Sequence, residues 1–262
     1  MQMIFYFLIA IFATTIGALT GMGGGVIMKP VMDMLAHYDV GSISMLSSIT
    51  VFAMSIVSVA KQRGCINRRN MKTVIPLALG AVLGGNIGDA ALKAAIAASG
   101  AGRQVTLLQN VILAAMIVMV CLYTQKKDKL PTLGLHSILP SAIVGLALGF
   151  VSSFLGIGGG PINVALIIFA FSVGTKTAAV YSVVIILFSQ GSKLAATALG
   201  GGFGGFSLEM LPPMVLGAVG GGFIGAYIHK RISEKTADRL FIAAQLLVLV
   251  ICLANILRSG IL

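Results

Sequence analysis

The stretch "GMGGGVIMKP", residues 21–30, is matched far downstream by "GIGGGPINVA", residues 156–165. Each glycine cluster ends an apolar run that is long enough to cross a bilayer, and a shorter apolar segment follows at once. Three consecutive glycines disfavour a continuous helix, because glycine costs about 1 kcal/mol relative to alanine in a helix interior. The two clusters therefore predict two interrupted helices around which the rest of the chain is arranged.

The composition places these clusters in a lipid bilayer. Of the 262 residues 58% are hydrophobic and only 10% are charged, far below the roughly 25% charged content of a soluble domain. The apolar runs are about 17 to 23 residues long, which is the length of a transmembrane helix. They do not alternate apolar and polar residues as the strands of a membrane barrel do. We therefore expect an all-α integral membrane protein.

The formal net charge of +11 is concentrated in residues that flank apolar segments. Such residues set the orientation of a membrane protein, so no nucleic-acid partner is expected. Residues 3–20 are interpreted as a retained helix rather than a secretory signal, because no Lys or Arg precedes them.

The chain reads as two similar halves. The glycine clusters repeat at an offset of about 135 residues, Val40-Gly41 recurs as Val173-Gly174, and "GGNIG" at 84–88 recurs as "GGFIG" at 221–225. These landmarks keep their order, as does Gln109, which recurs as Gln245. We therefore expect a first membrane repeat over residues 1–128, a linker over 129–134 and a second repeat over 135–262.

Each half contains five hydrophobic segments. They cover about residues 4–20, 26–36, 43–60, 73–92 and 104–124 in the first half, and about residues 138–155, 161–172, 177–199, 210–228 and 240–257 in the second. The segments 26–36 and 161–172 are too short for a comfortable crossing, so each is expected to form a broken or a re-entrant hairpin with the preceding run. Both forms remain open on the sequence. An odd number of segments makes the two repeats inverted, with the hairpins meeting near the membrane midplane.

The basic residues support this inversion. The loop "KQRGCINRRNMK", residues 61–72, is strongly basic, whereas its counterpart "GGGFGGFS", residues 200–207, carries no charge. In the next pair of loops the basic one, "HKRISEKTADR" at residues 229–239, belongs to the second half. Placing these loops and the linker lysines Lys126, Lys127 and Lys129 in the cytoplasm leaves both termini outside.

The glycine clusters favour an anion-binding site. Unwound backbone inside a membrane persists only where protein buries it or where it lines a cavity. A helix that begins just after the break, at Val26 or at Pro161, directs free N–H groups and a partial positive charge toward it. Two such ends brought together would bind a small anion. The alternative is close helix packing, which we prefer for "GAVLGGNIG" and "GAVGGGFIG". Neither cluster has the spacing of a nucleotide-binding loop.

These residues resemble the TauE/SafE family of sulfite exporters, also called the toluenesulfonate uptake permease family. The resemblance covers nearly the whole chain and is most specific at the paired GxGGG segments, while the small polar residues Ser47-Ser48 and Ser182 are similar to the family's cluster in the next helix. The chain departs from the family pattern at Lys29, Asn163 and Lys193. The resemblance implies transport of sulfite, a sulfonate or a related small anion.

Polar side chains within apolar runs extend the candidate site. A lysine at the centre of a membrane helix costs about 2.5–3.5 kcal/mol on insertion scales, so Lys29 and Lys193 either supply countercharge for an anion or snorkel to an interface. The serines either bind substrate or form interhelical hydrogen bonds. The expected substrate-binding residues are Gly21, Gly23, Gly24, Gly25, Lys29, Ser47, Ser48, Gly156, Gly158, Gly159, Gly160, Pro161, Asn163, Ser182, Ser189, Gln190 and Lys193.

Other ionisable residues give weaker indications. All seven acidic residues lie at or near segment ends, and Asp89 with Lys93 looks like a simple helix-end pair. Proton coupling through Asp33 and transport driven by the membrane potential alone both remain open. His37, His136 and His229 are expected at interfaces. Neither a disulfide framework nor a metal spacing occurs among Cys65, Cys121 and Cys252, so no metal or cofactor is expected.

Three functional hypotheses follow. The first is a secondary transporter that exports a small anion by alternating access, located in a bacterial inner membrane and possibly oligomeric. The second is an anion channel on the same scaffold. The third is a membrane enzyme or assembly factor, which is disfavoured because no cysteines, histidines or carboxylates cluster in the sequence.

Overall fold

The computed structural model describes residues 2–62, 68–99, 102–127, 130–135 and 137–261. Cys65, Asp128, Lys129 and His136 lie outside these residues. The described chain forms ten α-helices and no strand: α1 (Gln2–Thr20), α2 (Gly25–Leu35), α3 (Val40–Gln62), α4 (Arg68–Ser99), α5 (Gly102–Lys126), α6 (Ile138–Phe154), α7 (Pro161–Phe171), α8 (Thr175–Leu199), α9 (Leu211–Arg231) and α10 (Glu234–Ile261).

These helices coincide with the ten predicted segments, and the prediction of an all-α membrane protein is confirmed. Seven of the helices in the described residues are long and apolar enough to cross a bilayer by length and composition. The exceptions are α2, α6 and α7, with 11, 17 and 11 residues. A helix of 11 residues extends only about 16 Å, roughly half of the hydrocarbon thickness.

The two short helices α2 and α7 fold back along the helices that precede them. The hydroxyl of Tyr6, near the start of α1, lies 3.0 Å from Nδ1 of His37, just after the end of α2. In the second half the amide of Leu133, just before α6, donates a hydrogen bond of 2.9 Å to the carbonyl of Phe169 at the end of α7. Both pairs are therefore hairpins that return to the end of the bundle from which they started, and the choice between a broken and a re-entrant form stays a prediction.

The hairpins start from opposite ends of the helix bundle. The first starts at the end that holds Gln2, Asp39 and Glu209, here called the N-terminal face. The end of α10 lies there too, because the Arg258 guanidinium donates a hydrogen bond of 2.6 Å to the carbonyl of Met34. Both termini of the described chain therefore share one face, as the sequence predicted.

The second hairpin starts at the other end, here called the basic face. This face holds Lys127, Lys176, Lys230, Glu234 and Asp238. The Lys127 ammonium bridges the start of α8 and the start of α10, at 2.9 Å from the hydroxyl of Thr175 and 2.6 Å from a carboxylate oxygen of Asp238. Lys127, Lys176 and Lys230 thus lie at the end of the bundle opposite to the termini, whereas Arg258 lies at the end that holds the termini.

Two glycine stripes hold the halves together. Gly80, Gly84 and Gly88 of α4 face, in this order, the backbone carbonyls of Ala142, Leu146 and Phe150 of α6. Gly217, Gly221 and Gly225 of α9 face those of Phe7, Ile11 and Thr15 of α1. A Cβ atom at any of these glycines would collide with the facing backbone, so the prediction that "GAVLGGNIG" and "GAVGGGFIG" serve close packing is confirmed.

Each half thus contributes its fourth helix to the first helix of the other half, and the two halves interlock rather than stand side by side. The same exchange relates α3 to α9 and α8 to α4, which also pack across the halves. The division of the chain at residues 129–134 stays a prediction.

The adjacent glycines Gly220 and Gly221 allow a matched test of this packing. A Cβ at Gly221 would lie 2.6 Å from the carbonyl oxygen of Ile11, whereas one at Gly220 would meet only the end of the Ile11 side chain at 3.5 Å. We expect Gly221→Ala to cost about 1–3 kcal/mol through overpacking, and Gly220→Ala to be neutral or to stabilise by up to about 1 kcal/mol. Thermal unfolding in detergent measures both, and equal effects of the two changes would contradict the assignment.

Candidate functional site

The two glycine clusters adopt the same unwound backbone. Gly21 and Gly23 have φ angles of 77°, and Gly156 and Gly158 have φ angles of 66° and 65°. These left-handed angles are strained for any residue with a Cβ atom, which explains why glycine occupies these positions. The amide of Gly21 bonds back to the carbonyl of Gly17, and that of Gly156 bonds back to Ser153, so each cluster ends the long helix of its hairpin.

The two clusters contact each other in the interior of the bundle. Gly25 lies directly against the carbonyl of Ile157, and a Cβ at Gly159 would lie 2.9 Å from the carbonyl oxygen of Met22. A Cβ at Gly23 would lie 3.7 Å from Cα of Gly159. The sequence prediction that the hairpins meet is therefore confirmed. Every residue from 20 to 30 and from 155 to 161 is buried, so this region is closed from both faces.

Both short helices begin at the junction of the clusters. The first begins at Gly25, one residue before the expected start, and the second begins at Pro161 as expected. The residues before them, Gly24 and Gly160, have no side chain with which to cap the helix. The first N–H groups of a helix have no partner within it and carry a partial positive charge. Two such helix ends thus converge on one buried region.

Polar side chains without partners surround this junction. Gln190 is fully buried, and neither atom of its amide group has a hydrogen-bonding partner in the described residues. Its amide carbon lies 3.2 Å from where a Cβ of Gly158 would be. Nδ2 of Asn163 and the hydroxyl of Ser47, which lies beside Gly25, also lack partners there. We call these three side chains, together with residues 23–25 and 157–160, the break site.

The hydroxyls of the remaining predicted serines donate hydrogen bonds to backbone carbonyls. Ser182 donates a hydrogen bond of 2.5 Å to Gly21 and thereby secures the first cluster to α8. Ser48 and Ser189 donate to Ser44 and Ile186 of their own helices, at 2.7 and 3.3 Å. These two are therefore neither interhelical hydrogen bonds nor part of the break site, because an i−4 or i−3 carbonyl satisfies them locally.

Both predicted lysines are buried in ion pairs, so the snorkelling alternative is wrong. The side chains of Lys29 and Lys193 are each 2% exposed. The Lys29 ammonium lies 2.9 Å from a carboxylate oxygen of Asp33, and that of Lys193 lies 3.1 Å from one of Asp89. A buried lysine requires such a partner, because an unpaired charge in a low-dielectric interior is very costly.

Asp33 and Asp89 were not predicted as site residues. Asp89 was expected to form a helix-end pair with Lys93, and this pair exists at 2.8 Å, but Asp89 lies within α4 and also binds Lys193. The spacing of four residues between Lys29 and Asp33 was a signal available in the sequence. The partnership of Lys193 and Asp89 joins distant segments and left no such signal.

One serine connects the two ion pairs. The Lys193 ammonium donates a hydrogen bond of 3.0 Å to the hydroxyl of Ser44. That hydroxyl lies 2.9 Å from where a Cβ of Gly156 would be, and Cε of Lys29 lies 3.2 Å from the same point. We call the series Asp89, Lys193, Ser44, Lys29 and Asp33 the charged row. It runs past the second glycine cluster on the side of the N-terminal face.

Amide side chains close the Asp33 end of the row. The side-chain amide nitrogen of Asn110 lies 3.4 Å from the Asp33 carboxylate. The side-chain amide of Asn255 donates to the side-chain oxygen of Asn110 at 3.2 Å and to the backbone carbonyl of Pro30 at 2.9 Å. Gln109 lines the same small cavity, whose volume of about 10 Å³ matches one water molecule. These residues also escaped the sequence analysis, except that Gln109 was noted as a repeat landmark.

Each face of the bundle carries a larger cavity. The cavity at the basic face has a volume of about 270 Å³ and is lined by Lys176, His229 and Lys230, among others. The one at the N-terminal face has a volume of about 490 Å³ and is lined by residues that include Asp39 and Glu209. Anions therefore meet an attractive surface at the basic face and an acidic one at the other.

Two residues of the cavity at the N-terminal face, Tyr38 and Asp39, have shifted pKa values. Burial raises the pKa of the Tyr38 phenol, and the nearby Glu209 raises it further. Burial also raises the pKa of the Asp39 carboxyl, but hydrogen bonds from Ser42 and from neighbouring backbone amides more than offset this and hold it below its ordinary value. Asp39 thus stays ionised and caps α3, its carboxylate accepting a 3.0 Å bond from the amide of Ser42.

The arrangement brings together groups of the kind that bind anions. The break site offers hydrogen-bond donors from two amide side chains and two helix ends, and the charged row supplies buried cations. In the described part of the chain, no three His, Cys, Asp or Glu side chains are placed to hold a metal ion. Described helices that are long and apolar enough to cross a bilayer and that enclose such a buried site define a polytopic membrane protein.

Comparison with known families agrees with this class. The family described as "Sulfite exporter TauE/SafE" matches residues 6–252 of the chain. The chain therefore belongs to the TauE/SafE family of membrane transport proteins. Among curated proteins and among solved structures, no significant match was found.

The unpartnered amide of Gln190 can be tested by stability alone. A buried polar group without a partner costs about 1–3 kcal/mol, so Gln190→Met should raise the unfolding temperature of the substrate-free protein. The matched change Gln109→Met should lower it, because Gln109 donates a bond of 2.8 Å to the carbonyl of Phe154. A fall of similar size in both variants would mean that Gln190 has a structural partner.

Proposed function

We propose that the protein is a secondary transporter that exports a small anion, such as sulfite, a sulfonate or a related sulfur-containing or organic anion, by alternating access. The observation that carries this proposal is the buried junction of two helix N-termini with the unpartnered amide group of Gln190 and the unpartnered Nδ2 of Asn163. Oxoanions accept several hydrogen bonds at once, and helix N-termini provide them together with a favourable field.

The closed state of the break site favours a transporter over an anion channel. Residues 20–30 and 155–161 are buried, while separate cavities open at the two faces. An ion can pass such a site only if the protein opens it to one face and then to the other. The two interlocked hairpins, one starting from each face, are suitable moving parts for such a change, as in other transporters built from repeats.

The proposed substrate path runs from the basic face outward. The lysines of the cavity there would concentrate anions, and its Val180 lies on α8 two residues from Ser182, which binds the first glycine cluster. We assign the basic face to the cytoplasm of a bacterial inner membrane, because positively charged loops are retained on that side.

Flux in liposomes tests the proposed transport. Purified protein should mediate saturable uptake of labelled sulfite or methanesulfonate, and an excess of unlabelled anion inside should accelerate it, as a carrier requires and a channel does not. Gln190→Met should weaken the apparent affinity about 10- to 100-fold, since a hydrogen bond to a charged group contributes about 1.5–3 kcal/mol.

The control for this assay is Gln245→Met. Gln245 is equally buried, but its amide oxygen accepts a bond from Cys121 between α5 and α10. It should retain wild-type flux. Equal losses in both variants would contradict the position of the site, and flux without acceleration by internal anion would favour the channel.

The assigned orientation is tested by cysteine labelling in intact cells. Ser207 at the N-terminal face and Lys235 at the basic face are both exposed. In a background without the native cysteines, Ser207→Cys should react with a membrane-impermeant maleimide in intact cells, and Lys235→Cys only after permeabilisation. The reverse pattern would place the basic face and its cavity outside the cell, which is opposite to the proposed orientation.

A further inference from the structure

The buried members of the charged row balance one another before any substrate arrives. They are two lysines and two aspartates, and each ammonium lies within 3.1 Å of a carboxylate oxygen. A third lysine, Lys93, also binds Asp89 at 2.8 Å, but its side chain is 57% exposed, so water screens its charge. An anion that binds at Gly156 adds a negative charge next to two buried lysines that already have carboxylate partners, and a buried net charge is strongly disfavoured unless a positive charge accompanies it.

The two carboxylates of the row differ in their access to water. The side chain of Asp33 is 2% exposed, and its carboxylate contacts Lys29 and Asn110. That of Asp89 is 12% exposed, and its second oxygen binds Lys93, which is itself 57% exposed. Lys93 is one residue beyond Leu92, which packs against Val40 at the start of α3 near the N-terminal face. Asp89 therefore connects the row to solvent, whereas Asp33 is sealed.

We propose that Asp89 is a proton-binding site that couples anion transport to proton transport. This inference rests on the proposed function. When the anion binds beside Ser44 and Gly156, Lys193 exchanges the Asp89 carboxylate for the anion, and Asp89 takes up one proton from the face to which the site is open in that state. The Lys193 ammonium keeps its own protons. The loaded site holds one added negative and one added positive charge, so its net charge equals that of the empty site.

The coupling is reciprocal by thermodynamic necessity. A bound anion increases the proton affinity of Asp89, and a protonated Asp89 increases the anion affinity by the same factor. Proton and anion therefore occupy the same state of the protein and move in the same direction. For a monovalent anion this movement carries no net charge, so flux follows the product of the anion and proton gradients and does not respond to the membrane potential.

The groups around Asp89 decide whether its titration can be isolated. Among the described residues, the charged and titratable groups near the row are Lys93 on the same helix, Lys193 on α8, Lys29 and Asp33 on α2, and Cys252 and Arg258 on α10. Only Asp33 and Asp89 among them are carboxyl groups, and the variants Asp89→Asn and Asp33→Asn distinguish the two.

Proton uptake on anion binding is the direct measurement. Detergent-solubilised protein in weakly buffered medium with a pH indicator is mixed with methanesulfonate, the anion of a strong acid, whose own charge is independent of pH. The wild type should take up about one proton per bound anion, and its apparent affinity should fall by up to about tenfold per pH unit once Asp89 is ionised in the empty protein.

Two variants of the charged row should change the affinity for methanesulfonate in opposite directions. Asp89→Asn removes the competitor for Lys193, so it should bind methanesulfonate about tenfold more tightly than the wild type near neutral pH, with no proton uptake. The double variant Asp89→Asn, Lys193→Gln avoids an unpaired buried lysine and should bind weakly, also without proton uptake. The control Asp238→Asn, which breaks the partly buried pair with Lys127 at the basic face, should behave as the wild type.

Three outcomes would overturn the inference. Anion binding by the wild type without proton uptake excludes coupling at any group. Proton uptake that persists in Asp89→Asn but disappears in Asp33→Asn would place the proton on Asp33 instead of Asp89. Pairing of the anion with Lys193 is excluded if the double variant binds as tightly as Asp89→Asn.

Liposomes separate this inference from the proposed function. Wild-type flux of methanesulfonate or sulfite that follows an imposed potential and ignores an imposed pH gradient leaves a transporter but removes the proton site. Absence of wild-type flux for both anions contradicts the proposed transport activity itself. Flux that follows the pH gradient in the wild type and in Asp238→Asn, but not in Asp89→Asn, supports both.

Discussion

The fold depends on one constraint, which is that backbone N–H and C=O groups inside a membrane protein need partners or a ligand. Two unwound glycine clusters violate helical bonding deep in the bundle. They persist because each packs against the other and because flanking groups such as the Ser182 hydroxyl satisfy part of the exposed backbone. The hairpins, the glycine stripes and the long crossing helices together keep lipid away from this junction.

The sequence predicted the features that arise from local pattern. The ten hydrophobic segments, the two breaks and the small-residue surfaces each depend on the spacing of residues within one stretch, and all are present. The partners of buried charges could not be predicted in the same way. Lys193 meets Asp89 because α4 and α8 pack together, and no periodicity in either helix indicates which residue of the other will face it.

The framework is nearly symmetric, but its chemistry is not. Ser44 lies beside Gly156 in one half of the junction, whereas Ala179 lies beside Gly21 in the other. The backbone carbonyls two residues before the clusters also have different partners. That of Phe154 accepts a hydrogen bond from Gln109, and that of Leu19 contacts His229. A repeated backbone therefore supplies two similar helix ends, and single substitutions in each copy give the two sides of the junction different polarity.

The exchange of helices between the halves has a consequence for biosynthesis. The backbone of α1 packs against the glycines of α9, which is near the other end of the chain. At synthesis rates of about 5–20 residues per second, α1 is in the membrane for roughly ten seconds or more before that partner leaves the ribosome. The first hairpin must therefore remain inserted with its unwound segment unassembled, and native assembly becomes possible only when translation is nearly complete.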